Sequence, residues 1–229
     1  MNQNVAVIPT RGGKEIADLL TDSLNQLLHE GVHTILIDTT DRYSAGLPYE
    51  CKALASVVQR DHHKNIHTWW NLGLDIAALR WPDANVAILN DDIRMDDGMV
   101  NTLGMVLDTH PKAFAACPVP KDAYAPRNLL PVWQIAGPDR RGLTGWAFML
   151  PARTDYRFPE ELVWWYGDND LIRTAYVTGR EIISVGGTWV EHVDGGSKTG
   201  DWSDPKVKAQ LDADGKTYAE RWAARGWKT

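Results

Sequence analysis

Short, uniformly apolar runs alternate with longer stretches in which apolar residues recur every three to four positions, and this alternation governs residues 1–112. Val5 to Ile8, Thr34 to Ile37 and Val86 to Leu89 read as buried strands, the first ended by Pro9. From Lys14 to Glu30, Ile16, Leu19, Leu20, Ser23, Leu24, Leu27 and Leu28 trace one helical face, and Gly31 stops it. Further helices are predicted over Tyr49 to Arg60, over Trp69 to Arg80 before Pro82, and over Asp96 to His110 before Pro111. Strands separated by helices predict the α/β class, with a mostly parallel central sheet and helices on both faces.

The pattern changes after Ala113. Short strands are predicted at Phe114 to Cys117, Val132 to Ala136 and Trp146 to Leu150, between turns rich in Pro and Gly. A helix follows over Asp168 to Thr178, then strands at Ile182 to Val185 and Thr188 to Glu191, a loop over Gly195 to Ser203, and a terminal helix over Asp204 to Trp227. No internal repeat or low-complexity linker divides the chain, so its 229 residues read as one domain.

Composition narrows the class. A hydrophobic share of 44% with 24% charged residues is that of a soluble globular protein. No apolar stretch approaches the roughly 20 residues that span a bilayer. The first strand begins so close to Met1 that no signal peptide is expected. Cys51 and Cys117 are too few for a disulfide scaffold and fit a reducing compartment, so a cytoplasmic location is expected. A net charge of -6 excludes the broad basic footprint of a non-specific nucleic-acid binder. Eleven tryptophans offer flat faces suited to sugar rings or bases, although core packing is their ordinary use.

Candidate chemistry gathers at the ends of the predicted strands. Asn90-Asp91-Asp92 follows Val86 to Leu89, where unpaired carboxylates are too costly to bury and where open α/β sheets hold their ligands. Hard oxygen donors there suit Mg²⁺ or Mn²⁺ shared with substrate phosphates. An acidic turn capping the next helix, continued by Asp96 and Asp97, accounts for the same residues without a ligand. Pro9-Thr10-Arg11-Gly12-Gly13 and Asp38 also end strands, and a parallel sheet would bring all three segments to one edge; Asp168 opens a late helix. Gly13-Lys14-Glu15 fails the phosphate-loop pattern, and Gly12-Gly13 fails the dinucleotide fingerprint. His62, His63 and His67 lack zinc-site spacing and are expected on a solvated loop.

Several of these segments, taken in order, resemble the GT-A glycosyltransferases, in the style of family 2. They are Val7-Ile8-Pro9-Thr10-Arg11-Gly12, Asp38, Asn71-Leu72-Gly73 with Ala77, Leu89-Asn90-Asp91-Asp92 at the Asp-x-Asp position, Gly145 to Leu150, and Gly167-Asp168-Asn169-Asp170-Leu171 with Arg173. The resemblance implies a GT-A fold over 1–229, with a nucleotide-binding half (1–112), an acceptor-side half (113–203) and a C-terminal helix (204–229). It implies transfer of one sugar, with inversion, from a nucleotide-diphosphate sugar to the hydroxyl of a glycan, a protein or a hydroxylated DNA base.

The resemblance also implies roles for particular residues. Asp92 matches the metal-binding carboxylate and His192 the late histidine that completes the shell of Mn²⁺ or Mg²⁺. Asn90 replaces the usual first Asp, leaving weaker metal binding or a water-mediated contact open. Pro9, Thr10, Arg11, Asp38, Asn71, Asn90 and Asp91 fall at nucleotide-sugar positions; a carboxylate accepting from a ring N–H favours a UDP-sugar. Lys198, in the predicted loop, would close onto the diphosphate. Asp168 matches the general base that takes the acceptor proton, with Gly167 where the family has Glu. Trp164, Trp165 and Asp170 would meet the acceptor, and Asp168 and Asp170 are open to exchange of roles. Both carboxylates would equally favour a helix N-terminus. Tyr218 to Trp222 has Tyr where processive, membrane-embedded members of the family have Gln, which favours single-sugar transfer. A sugar-nucleotide pyrophosphorylase and a non-catalytic carbohydrate-binding module on the same fold are the competing readings. A DNA acceptor would call for a basic patch, with Arg127, Arg140, Arg141 and Arg153 as its candidates.

Overall fold

Four parallel strands in the order β3-β2-β1-β4 form the first half of the sheet, in a computed structural model that describes residues 3–12, 14–39, 49–61, 65–123, 132–135, 143, 145–193 and 203–227. β1 (Asn4–Thr10), β2 (His33–Asp38) and β4 (Asn85–Leu89) are almost wholly buried, as uniform apolar runs demand when helices cover both faces. Pro9 does not end β1: the strand runs through it to Thr10, whose register partner is Asp38. The helix α1 (Lys14–His29) buries Ile16, Leu20, Leu24 and Leu27 and turns Leu28 outward. Gly31, at φ +73°, closes it, and Val32 donates back to the Leu27 carbonyl. On the other face α3 (Ile66–Arg80) approaches β1 closely at Gly73, where a Cβ would overlap the side chain of Val7. Trp69 and Trp70 are buried there in the core, as their helical position predicts.

The helix predicted over Tyr49 to Arg60 is two elements. α2 (Tyr49–Leu54) stops, and Val57–Arg60 extends as β3 along the open edge of β2. Two successive valines favour the extended chain once an unpaired edge offers partners. Ser56 fixes the change of direction by accepting from the Thr34 amide through Oγ.

Beyond β4 the sheet is mixed rather than parallel, continuing β8-β6-β9-β5, with β7 (Val132–Ile135) also pairing β9. β8 (Ala147–Leu150) runs antiparallel to both β4 and β6 (Ala113–Pro120), while β9 (Glu181–His192) is parallel to β6 and antiparallel to β7 and β5 (Ile93–Met95). The two late strands predicted around Gly186-Gly187 are one strand, β9, with a register shift opposite Pro118/Val119 that takes up the extra residues. Only Asn90, Asp91 and Asp92 separate β4 from β5, although three strands lie between them in sheet order. The sheet therefore curls, and the end of β9 returns to the end of β4. α4 (Met99–Thr109) covers one face; α5 (Gly167–Val177) and α6 (Pro205–Ala223) carry the late helical segments. Among the described residues no helix is long and apolar enough to cross a membrane.

Candidate functional site

The strand ends meet as the parallel order requires. Thr10 and Asp38 are register partners at the ends of β1 and β2, both buried, and Thr39 donates to the Thr10 carbonyl through both its amide and its hydroxyl. Asp91 joins the end of β4 to β1, taking the Thr10 hydroxyl and lying beside the Arg11 amide and guanidinium. Burial pushes the Asp91 carboxyl up to about 6, the negative charge of Asp92 adds to the rise, and the Thr10 and Arg11 contacts moderate it. Asp38 faces Arg60 of β3, Nε 4.0 Å from Oδ2. A helical reading of residues 49–60 hides Arg60, because a strand is what carries it to the end of β2.

Asp92 is 1% exposed, and among the described residues its carboxylate oxygens have no hydrogen-bond partner of good geometry. Its neighbour is His192, with Nε2 3.1 Å from Oδ1. The pairing follows from the curl: Ile93 is the register partner of His192, and Val193 donates to the Asp92 carbonyl. Among the described residues no group of three or more His, Cys, Asp or Glu side chains is placed to hold a metal ion. Among the described residues Asp92 and His192 are the donors brought together here, a small set that suits hard divalent ions keeping waters and phosphate oxygens in the rest of the shell. Their 3.1 Å separation is close to the roughly 3 Å edge between adjacent ligands of an octahedral ion with bonds of about 2.1 Å. Residues and spacing fit such an ion.

A line of contacts runs from this pair to Asp168. The His192 ring stacks on Trp146, centroids 4.8 Å apart and planes at 21°. The Trp146 carbonyl accepts from the Asn90 backbone amide at 2.8 Å, tying the Asn90–Asp92 turn to the entry of β8. Preceding it, Gly145 lies against Asp168: a Cβ there would stand 3.1 Å from Oδ2. Asp168, in the first turn of α5, accepts from the Asn169 amide through Oδ1, and burial raises its pKa against that hydrogen bond. Trp146, 37% exposed, thus touches the partner of one carboxylate and directly follows the glycine that touches the other. Its legible signal was a large aromatic directly behind a glycine at a strand entry.

Gly167 has a steric explanation. A Cβ at that position would overlap Nε2 of His67 and crowd Trp70. His67 is not on a solvated loop but fully buried in α3, with Nδ1 2.6 Å from the Leu162 carbonyl. A carbonyl only accepts, so Nδ1 carries the proton; burial lowers the pKa and keeps the ring neutral. The His67 imidazole thus occupies the space that any side chain at position 167 would enter.

Two expected ligand residues are structural. Asn71 grips the backbone of Phe158 through its amide at 2.9 Å and its carbonyl at 2.8 Å, and also donates to Glu160, so it faces the core and not a nucleotide. Asp170 is 0% exposed and is saturated by the Tyr156 hydroxyl at 2.9 Å, Arg221 Nε at 3.0 Å and Trp222 Nε1 at 2.9 Å. It clamps α5 to α6 and has no open face for an acceptor. Asp168, by contrast, is half-buried and lies beside Gly145 at the entry of β8. Pro9 is likewise buried within β1.

Trp164 and Trp165 are half-buried in the turn before α5. Trp164 lies under the Arg11 guanidinium, 5.1 Å from ring centroid to Cζ, and meets Trp69 edge-on. It joins the end of β1 and the start of α3 to the turn before α5. Arg153 pairs with Asp83 at the surface. Lys198, His62, His63, Arg127, Arg140 and Arg141 lie outside the described residues.

No protein-family model matches the chain, and no curated protein matches it. Solved structures do. GalNAc-T7, crystallised with UDP, GalNAc and Mn²⁺, is similar with a TM-score of 0.66 at 12% identity, over 84% of this chain and 44% of that one. The S. aureus TarS fragment 1–349 is similar at 0.61 and 14% identity, over 83% and 60% respectively. The same fragment in complex with UDP gives 0.55 and 13%, over 82% and 60%. Both are GT-A glycosyltransferases, and this chain has a GT-A-like glycosyltransferase fold. It spans less than two thirds of the length of each of these structures.

Proposed function

We propose that this chain carries the catalytic site of a metal-dependent glycosyltransferase that moves one sugar, with inversion, from a nucleotide-diphosphate sugar to an acceptor hydroxyl. The observation that supports the reading most directly is the run of contacts from Asp92 through His192 and Trp146 to Gly145 beside Asp168. It separates a pair suited to a cation-bound diphosphate from a desolvated carboxylate suited to an incoming alcohol. The similarity in fold to structures that hold UDP, and in one case Mn²⁺, adds to it.

In this reading Asp92 and His192 hold Mn²⁺ or Mg²⁺, which when bound supplies Lewis-acid neutralisation of the departing diphosphate. Asp38, at the end of β2 beside Arg60, accepts from a ring N–H of the base and favours a UDP-sugar. Thr10 and Arg11 line the same edge, with Arg11 held over Trp164, while Asp91 braces the turn that carries Asp92. Asn90, fixed through its amide to Trp146, lies nearest the donor, and Lys198 would close over the diphosphate. Asp168 takes the acceptor proton as the oxygen attacks. Its raised pKa brings it nearer to operating pH than an ordinary aspartate, which strengthens it as a base. Trp164 and Trp165 flank the acceptor side. The hydroxyl belongs to a glycan, a protein or a hydroxylated DNA base, since each offers the same nucleophile.

Thermal shift with UDP-, GDP- and dTDP-sugars, with and without Mn²⁺, tests the reading. Stabilisation by a UDP-sugar that requires the metal is the expected result. No response to any donor would overturn it.

A further inference from the structure

We infer that Asp214, Gly215 and Tyr218 of the C-terminal helix α6 are positioning residues for Asp168, an inference that rests on Asp168 being the base proposed above. Asp214, Tyr218 and Trp222 form the buried stripe of α6, one residue per turn. A carboxylate on such a stripe demands compensation, and Asp214, 1% exposed, receives it from the backbone of the turn that leads to Asp168. The amides of Val163, Trp164 and Trp165 donate to it at 3.1, 2.8 and 3.0 Å, and Gln210 adds a fourth bond at 2.8 Å. Three successive N–H groups aimed at one anion require a curled backbone, which the carboxylate holds in place.

The next residue carries the strain. Tyr166 is at φ 68°, ψ 5°, a left-handed conformation unusual for a bulky residue, and it caps α5 without any side-chain hydrogen bond. Nothing local favours that turn. α6 does: the Tyr166 ring stacks on Tyr218, centroids 5.2 Å apart and planes at 22°, and Gly215 makes room for it. A Cβ on Gly215 would stand 3.0 Å from the Tyr166 hydroxyl oxygen and 3.3 Å from Cζ. Two residues later comes Asp168. Attachment of α6 to α5 does not need these contacts, because Asp170 already binds Arg221 and Trp222. The Asp214 contacts therefore set where the α5 N-terminus begins, and with it the direction of the Asp168 carboxylate.

The test uses UDP release from UDP-glucose, UDP-N-acetylglucosamine and UDP-N-acetylgalactosamine with Mn²⁺, read beside donor affinity, Tm and amide exchange. Asp214→Asn is expected to lower kcat by about 100-fold, as displacement of a reacting group by about 1 Å does, with donor affinity unchanged. Gly215→Ala gains helix propensity but crowds the Tyr166 ring, so Tm is expected to change little while kcat falls about fivefold. Removing the clashing hydroxyl in the double variant Tyr166→Phe/Gly215→Ala is expected to restore most of that loss. A purely structural role predicts the opposite pattern: kcat in Gly215→Ala stays level with Tm, with nothing to rescue, and that result overturns the inference. Should wild type release no UDP from any of these donors and show no response in the wider donor panel, the transferase reading falls by itself. Amide exchange then decides: faster exchange at Val163 to Trp165 in Asp214→Asn upholds control of the turn by α6, and unchanged exchange overturns it.

Discussion

The two halves of the candidate site are built by different rules. On the side of β1, β2 and β4, the candidate residues stand at the C-terminal ends of adjacent parallel strands, so a local pattern of apolar runs was enough to align Thr10, Asp38 and Asp91. On the side of β8, β9 and α5, no local rule places anything. His192 meets Asp92 because the sheet curls, and Asp168 is beside Gly145 because α5 begins at a turn tied to α6. A half organised by neighbouring strands tolerates substitution far from the site; a half organised by long-range contacts does not.

Substitutions sharpen that contrast, and the largest effect falls on the second half. Asp168→Asn is expected to cut turnover by about 10²–10⁴ while donor binding survives. Its pKa is raised by burial, so folding favours the protonated form. The corresponding stability is present below the unfolded carboxylate pKa and is lost as pH rises through the folded one. The neutral asparagine should therefore keep or raise Tm at pH 7, and a fall in Tm would break this account. For the same reason the acid limb of the pH–rate profile should lie above an ordinary aspartate's value, measured as kcat against pH.

Next in size is the clamp. Asp170→Ala leaves Arg221, Trp222 and Tyr156 without their shared acceptor and is expected to cost about 3–5 kcal/mol in urea unfolding. A value under about 1 kcal/mol would show that α6 does not depend on it. Gly167→Ala drives a methyl group into His67 and is expected to cost about 1–3 kcal/mol. Pairing it with His67→Ala should recover part of that loss, because the offending ring is gone. Smallest is Arg60→Ala in the first half. An exposed partner 4.0 Å from Asp38 contributes at most about 1 kcal/mol to stability, so Tm should barely move. A loss of donor affinity without a loss of Tm would assign Arg60 to the nucleotide.

How much was legible depends on the range of the cause. The apolar period revealed α1, its glycine stop and the buried strands, since each is decided within a few residues. It misjudged residues 57–60, because an open strand edge outweighed the helical pattern. It split β9 at Gly186-Gly187, because a bulge reads as a turn until the partner strand is known. Asp170 and Asn71 read as ligands because a carboxylate or amide in a motif carries no mark of burial. Their partners, at positions 221, 222 and 158, lie far along the chain.

The order of strands and helices, the acidic turn behind β4 and the α/β class were determined by the amino-acid sequence itself, because hydrophobic periodicity and chain stops act locally. Which acids are locked into structural hydrogen bonds, which histidine meets Asp92 and what crowds the glycine before Asp168 were decided only by the tertiary structure. Those choices depend on what fills the space beside each side chain, and that space is bounded by residues tens to hundreds of positions away.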